Sequence, residues 1–112
     1  MDRSPADVYA DHCRRRELAY QVDAEGRPVF RPRVGPFTWA VSAGRGTVYA
    51  TTVARRRGEE PAHVCLVDLD EGFRMMSAVV GTAPEDVRIG MRVRVAWRDG
   101  EGAPVPVFEV DA

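Results

Sequence analysis

From Phe37 onward the apolar positions of this chain recur at every second residue. Phe37, Trp39, Val41 and Ala43 fall on one side of an extended segment, with Thr38, Ala40 and Ser42 on the other. Gly44-Arg45-Gly46 marks a bend, and Thr47 to Val53 continues as a segment rich in β-branched residues. His63 to Leu69 and Phe73 to Val80 read as the two arms of a hairpin around Asp70-Glu71-Gly72. Thr82 to Val87 predicts a capped helical turn. Met91, Val93, Val95 and Trp97 then alternate with Arg92, Arg94, Ala96 and Arg98, the cleanest alternation in the sequence. Pro104 and Pro106 confine the last strand, Val105 to Val110, to a sheet edge.

The texture before Phe37 is different. Ser4 to about Glu17 predicts a short helix, with Ser4 as cap, Pro5 in the first position and Asp7 in the first turn. Asp23-Ala24-Glu25-Gly26 is a turn between two short extended pieces, Leu18–Val22 and Pro28–Phe30. Pro28, Pro32 and Pro36 exclude regular helix there. The expected organisation is an N-terminal helix over 1–17, an arm over 18–36 and a barrel over 37–112. The fold class is mainly β: a five-stranded OB-like Greek-key barrel.

A chain of 112 residues has room for one core. The net charge of -1 gives no general attraction to nucleic acid, although all 16 basic residues are arginine. Two cysteines, Cys13 and Cys65, make neither a disulfide framework nor a complete zinc site. No apolar run reaches the ~18 residues of a membrane span, and the N-terminus lacks a signal-peptide pattern, so a cytoplasmic protein is expected.

Catalytic chemistry is hard to assemble from these residues. His12 and Cys13 are adjacent on a helix and point about 100° apart, which suits a plain helix surface. His63 and Cys65 share a strand face, but Cys65 sits among apolar neighbours and reads as a buried thiol, with His63 at the rim. Asp68, Asp70 and Glu71 read as a solvated hairpin end, and Glu85 and Asp86 as first-turn acids. Arg92, Arg94 and Arg98 form a stripe that either meets phosphates or keeps an outer face solvated. Arg45 lies between two glycines that would let a ligand approach the backbone. Trp39 and Trp97 fall with core positions, which weakens a base-stacking role for them and for Tyr49. Met75 and Met76 sit on opposite faces, and Met75, Val79, Val64 and Leu66 are expected to form an outward patch too apolar for bare surface.

The blocks Gly44-Arg45-Gly46-Thr47-Val48-Tyr49, Asp68-Leu69-Asp70-Glu71-Gly72 and Pro84-Glu85-Asp86-Val87-Arg88-Ile89-Gly90-Met91 resemble, in order, an acyl-CoA-associated OB-fold family. That family was long known as domain of unknown function thirty-five. Its members usually pass from a helix through a rubredoxin-like zinc ribbon into the OB-fold. Phe30-Arg31-Pro32-Arg33 is similar to the ribbon's Phe-Pro-Pro-Arg stretch. The knuckles, however, read Asp23-Ala24-Glu25-Gly26 and Val34-Gly35-Pro36-Phe37, without cysteine. The expectation is a degenerate, metal-free arm that binds no zinc.

The resemblance implies a non-catalytic accessory or scaffold subunit. It would associate with a thiolase-like enzyme, or with an acyl-CoA hydratase or aldolase, and help bind or channel acyl-CoA. It implies no catalytic residue and no cofactor beyond acyl-CoA as a ligand. Arg45, Gly46 and Tyr49, with Arg92 and Arg94, are the expected ligand or partner contacts. An arm without its metal has little core of its own, so Leu18, Tyr20, Val29 and Phe30 must bury against the barrel or a partner. The expectation is that they, with Met75, cover a partner or a second copy of the chain. The alternative is a single-stranded nucleic-acid-binding OB-fold protein.

Overall fold

The computed structural model describes residues 3–55, 57–60 and 62–111. Helix α1, Pro5–Arg14, starts as its sequence dictates: the Ser4 hydroxyl accepts the Asp7 N–H at 3.1 Å, and Pro5 opens the first turn. It stops at Arg15, after which Arg16 takes the left-handed region at φ 58° and turns the chain toward the first strand. Among the described residues no helix is long and apolar enough to cross a membrane.

Two sheets follow. Strands β1 (Ala19–Val22), β2 (Pro28–Val29) and β3 (Thr38–Val41) form an antiparallel arm in the order β2-β1-β3. Strands β4 (Arg45–Ala54), β5 (Ala62–Leu69), β6 (Arg74–Ser77), β7 (Arg92–Arg98) and β8 (Val105–Val110) form the second sheet, ordered β6-β5-β4-β7-β8. The ladders divide after β3, because β3 pairs with β1 from Ala19↔Val41 to Val22↔Thr38. Residues 38–41, expected within the barrel over 37–112, thus belong to the arm's sheet. Alternation shows that a strand has two faces; it does not name the sheet that owns them.

The second sheet curls until its ends meet. After Ser77 the chain leaves the hairpin, and Val79 forms a parallel bridge with Phe108. The Val80 N–H donates to the Phe108 carbonyl at 2.7 Å, and the Phe108 N–H to the Ala78 carbonyl at 2.9 Å. This closure makes an OB barrel of an otherwise open sheet. A bulge between Val48 and Ala50 sets the face of every later β4 residue: Ala50 stands opposite Leu66, and Thr51 opposite buried Cys65. The 3-10 turn Pro84–Asp86 sits before β7, and its cap position, Ala83, supplies no side-chain hydrogen bond, contrary to the capped turn expected.

Inside the barrel, Val48, Val67, Val93 and Phe108 are essentially inaccessible. The arm adds to this core. Leu18 is 1% exposed within the core cluster, Tyr20 lies 4.7 Å from Phe73 between ring centroids, and Phe30 stacks on Phe73 at 5.2 Å. Such ring pairs contribute about 0.5–1.5 kcal/mol each beyond the area they bury. The expected partner-covering role is therefore corrected for Leu18, whose side chain is buried in this chain's own barrel. Tyr20 and Phe30 also pack on Phe73 but stay half-buried, and Phe30 keeps one side open to the grooves beside it. A four-residue and a two-residue strand have no core of their own, and Phe73 is the nearest one.

Two further expectations change. Trp39 stacks on His12 at 5.7 Å, beneath α1 rather than inside the barrel. Met75 is 4% exposed and Val79 4%, both inward, while Met76 is 70% exposed. The strand phase is set by Phe73, which enters the core right after the turn, so 73 and 75 point in and 76 points out. The outward apolar patch is Val64, Leu66 and Met76, and Met75 is no part of it.

Candidate interaction surface

The corner that joins the arm to the barrel carries Arg45, Gly46 and Tyr49. It is held by Glu71, which the sequence reading had left in solvent. The Glu71 carboxylate accepts the Ser42 hydroxyl at 2.6 Å and the Ala43 N–H at 2.8 Å, and the Ser42 oxygen accepts the Gly44 N–H at 2.9 Å. One acidic side chain from the β5–β6 turn thus fixes three residues of the corner.

The two glycines serve the barrel rather than a ligand. A side-chain carbon on Gly46 would meet the Asp68 carbonyl oxygen at 2.5 Å, and one on Gly44, at φ +79°, would run into Val95. Gly46 is buried against β5, so its expected place in a ligand contact is corrected: the close approach exists, and β5 occupies it.

The arginine stripe is largely neutralised. Arg92 forks onto Asp70 with contacts of 2.8 and 2.7 Å and also donates to Thr47 at 3.0 Å. Arg94 donates to Glu109 at 2.8 Å. Arg74 forks onto Asp68 and lies 3.4 Å from the centre of the Tyr49 ring, covering one face of it. Among the described residues Arg45 makes no ion pair, although it faces the same side as Arg92 and Arg94 and adds to the field on Asp70.

These pairings predict an acid response. Hydrogen bonds from Arg92 hold the Asp70 carboxyl below its usual range, and the Arg27 backbone N–H does the same for Asp23. Each folded-state pKa is depressed, so the stabilisation is complete above the unfolded value of about 3.9 and is lost as pH falls through the folded one. Thermal melts should hold near pH 5 and fall steadily below pH 4. Asp23→Asn with Asp70→Asn should flatten that fall, and an unchanged slope would show the pairs to be idle.

No nucleophile is poised. Burial pushes the Cys65 thiol up, and the Cys13 thiol likewise beside Tyr9, whose phenol burial also raises. Cys13 is 3% exposed, so it belongs to the helix's inner face and not to the plain surface expected. His63 Nδ1 lies 3.4 Å from the Thr52 carbonyl, while its Nε2 and the Thr51 hydroxyl are buried without partners among the described residues. Among the described residues no group of three or more His, Cys, Asp or Glu side chains is placed to hold a metal ion. At the knuckle positions Asp23 is already occupied, accepting the Glu25 N–H at 3.0 Å and the Arg27 N–H at 2.9 Å. The residues present do not make a zinc set.

The sequence reading missed three features that matter here. Gln21, 2% exposed, binds Arg33 twice: its amide N–H donates to the Arg33 carbonyl and its oxygen accepts the Arg33 N–H, each at 2.8 Å. No local pattern announces that contact. Glu71 looks like any turn acid. Met76 was legible, by counting forward in twos from Phe73.

A helix, a three-stranded arm docked through Leu18 and Phe30, and a barrel closed at Val79 and Phe108 define an OB-fold protein with a ribbon-like extension. The family described as "ChsH2, C-terminal OB-fold domain" matches residues 39–98. The chain belongs to this acyl-CoA-associated DUF35 OB-fold family. It is 38% identical over 84 residues to a probable enoyl-CoA hydratase alpha subunit of Thermomonospora curvata, covering 69% of this chain and 26% of that protein. It is 34% identical over 100 residues to the 3-oxo-4,17-pregnadiene-20-carboxyl-CoA hydratase alpha subunit of Mycobacterium tuberculosis, covering 80% and 32%. A DUF35 domain-containing scaffold protein of Methanocaldococcus jannaschii is 33% identical over 61 residues, 50% of this chain and 43% of that one. The chain therefore spans less than half the length of these curated relatives. A solved chain described as Ltp2-ChsH2(DUF35) aldolase superposes with a TM-score of 0.84 at 29% identity, covering 98% of this chain and 96% of that one.

Proposed function

We propose that this chain is a non-catalytic accessory subunit of an acyl-CoA hydratase or aldolase assembly, or of a related thiolase-like enzyme. In that role it packs on the catalytic subunit and helps shape or bind the acyl-CoA path. The observation that carries the reading is the superposition over nearly the full length of both chains with a DUF35 chain of an aldolase. The buried, protonated thiols and the paired carboxylates support it, because bond-making needs a reachable nucleophile or base. Arg45 and Arg98, which make no ion pair among the described residues, are cations available to a phosphate or a partner carboxylate. The arm holds no zinc in this reading, and Asp23 and Gln21 do the tying that a metal would do elsewhere.

The test is co-expression with hydratase- and aldolase-class subunits encoded in the same genome, followed by size-exclusion chromatography. A stable complex is expected, with acyl-CoA turnover in the complex and none by this chain alone. Enzyme-like turnover by the isolated chain, or failure to join any such subunit, would overturn the proposal.

A further inference from the structure

Three grooves converge on one side chain. Met76 borders a groove of about 600 Å³ between residues 28–33 of the arm and the start of β6. It borders a second of about 340 Å³ beside Tyr9, Phe30, Val105 and Pro106. It borders a third of about 240 Å³ on the outer face with Ala50, Val64 and Leu66. Met76 is 70% exposed, Val105 55% and Val64 37%, so an apolar belt runs from the outer sheet face around to α1 and β8.

The charges along this belt have one sign. Its linings include Arg31, Arg33 and Arg74 and no aspartate or glutamate, in a chain whose net charge is -1. Arg74 is taken by Asp68, while Arg31 and Arg33 make no ion pair among the described residues. The backbone adds a direction. Among the described residues strand β6 has a ladder partner only in β5. On its other edge the Ser77 hydroxyl donates to the Pro106 carbonyl at 3.1 Å ahead of the Val79–Phe108 bridge, which leaves Arg74 to Met76 without a ladder partner there. An unpaired strand edge beside an apolar groove is the geometry on which an extended segment adds as a further strand.

We propose that this belt seats an extended apolar segment of the partner subunit, flanked by carboxylates that meet Arg31 and Arg33. The inference rests on the accessory-subunit reading above and names the surface that reading uses. A second copy fits poorly, because a two-fold contact lays the patch on itself and brings the basic rim against its own image. A heterologous acidic segment neutralises the rim and covers the methionine, whose unbranched side chain adapts to what packs on it.

The experiment measures the affinity of the intact chain for the co-expressed hydratase- or aldolase-class subunit, with hydrogen exchange mapped on the complex. Met76→Asp should weaken binding by about 30-fold or more, since it puts a carboxylate at the centre of the buried patch. Arg31→Glu with Arg33→Glu should weaken it by about 10-fold or more and flatten its salt dependence. Arg98→Glu, on β7, should change little, and residues 74–77 should gain exchange protection in the complex. All four positions are exposed, and circular dichroism checks that each variant folds. If the subunit binds Met76→Asp and the double reversal as it binds the natural chain, the belt is the wrong surface while the accessory role stands. If the natural chain binds no such subunit, both fall. If the chain alone sediments as a dimer that Met76→Asp splits, the belt belongs to a second copy and the inference is overturned.

Discussion

Phe108→Ala should cost about 3–5 kcal/mol of folding stability, the range for deleting a fully buried aromatic ring. Phe108 is 0% exposed and stands where the barrel closes: its carbonyl accepts from Val80, its N–H donates to Ala78, and Val79 bridges to it. The lost ring leaves a cavity between β8 and the end of the β5–β6 hairpin. Single domains are stable by only about 5–15 kcal/mol, so a loss of this size is a large share of the total. Urea melts should show a lower midpoint, or a chain already unfolded without denaturant. Phe108→Leu, which refills most of the volume, should recover much of the stability. If alanine costs under about 1 kcal/mol, closure does not depend on this ring, and the barrel is held by its ladders alone.

What the sequence made legible was local. The Ser4 cap, the Asp23–Gly26 turn, the Asp70–Gly72 turn and the alternation of β7 each depend on neighbours within a few residues, and each is found in place. Pairings across the chain were another matter. Trp39 has the right parity for a core residue, yet its ring meets His12, which lies in a different element. Gly44 and Gly46 announced a close approach without saying that Val95 and Asp68 make it. Arg92 and Arg94 read as free cations because Asp70 and Glu109 lie at distant sequence positions and only the sheet register brings them together. Met75 and Met76 are chemically identical neighbours, so everything turned on strand phase, which the turn before Phe73 sets. The outward apolar patch was therefore readable as a need for apolar contact, and placing it on Met76 instead of Met75 took only the strand phase that Phe73 sets.

Removing the Gln21 side chain should be the most informative change in the arm. Gln21 sits on β1 between Val29 of β2 and Trp39 of β3, and its amide holds both polar groups of the Arg33 backbone. A primary amide presents N–H donors and a carbonyl acceptor in one plane, so it satisfies both the N–H and the C=O of Arg33 in two contacts, as a paired residue on a neighbouring strand would. That links the turn region of 23–27 to the segment 33–37, the two places where relatives with cysteine knuckles would be tied by zinc. Each hydrogen bond contributes about 1 kcal/mol net, and an unfilled buried site adds to the loss, so Gln21→Ala should cost about 2–4 kcal/mol. Hydrogen exchange should rise first in residues 28–36, ahead of the barrel strands, because the clamp touches only the arm. Gln21→Glu should recover only part of the stability, since a carboxylate accepts from the Arg33 N–H but cannot donate to its carbonyl. Chelator should leave the melting temperature of the natural chain unchanged, and metal analysis should find no stoichiometric zinc. A chelator-sensitive melt would mean that a metal, and not this amide, holds the arm.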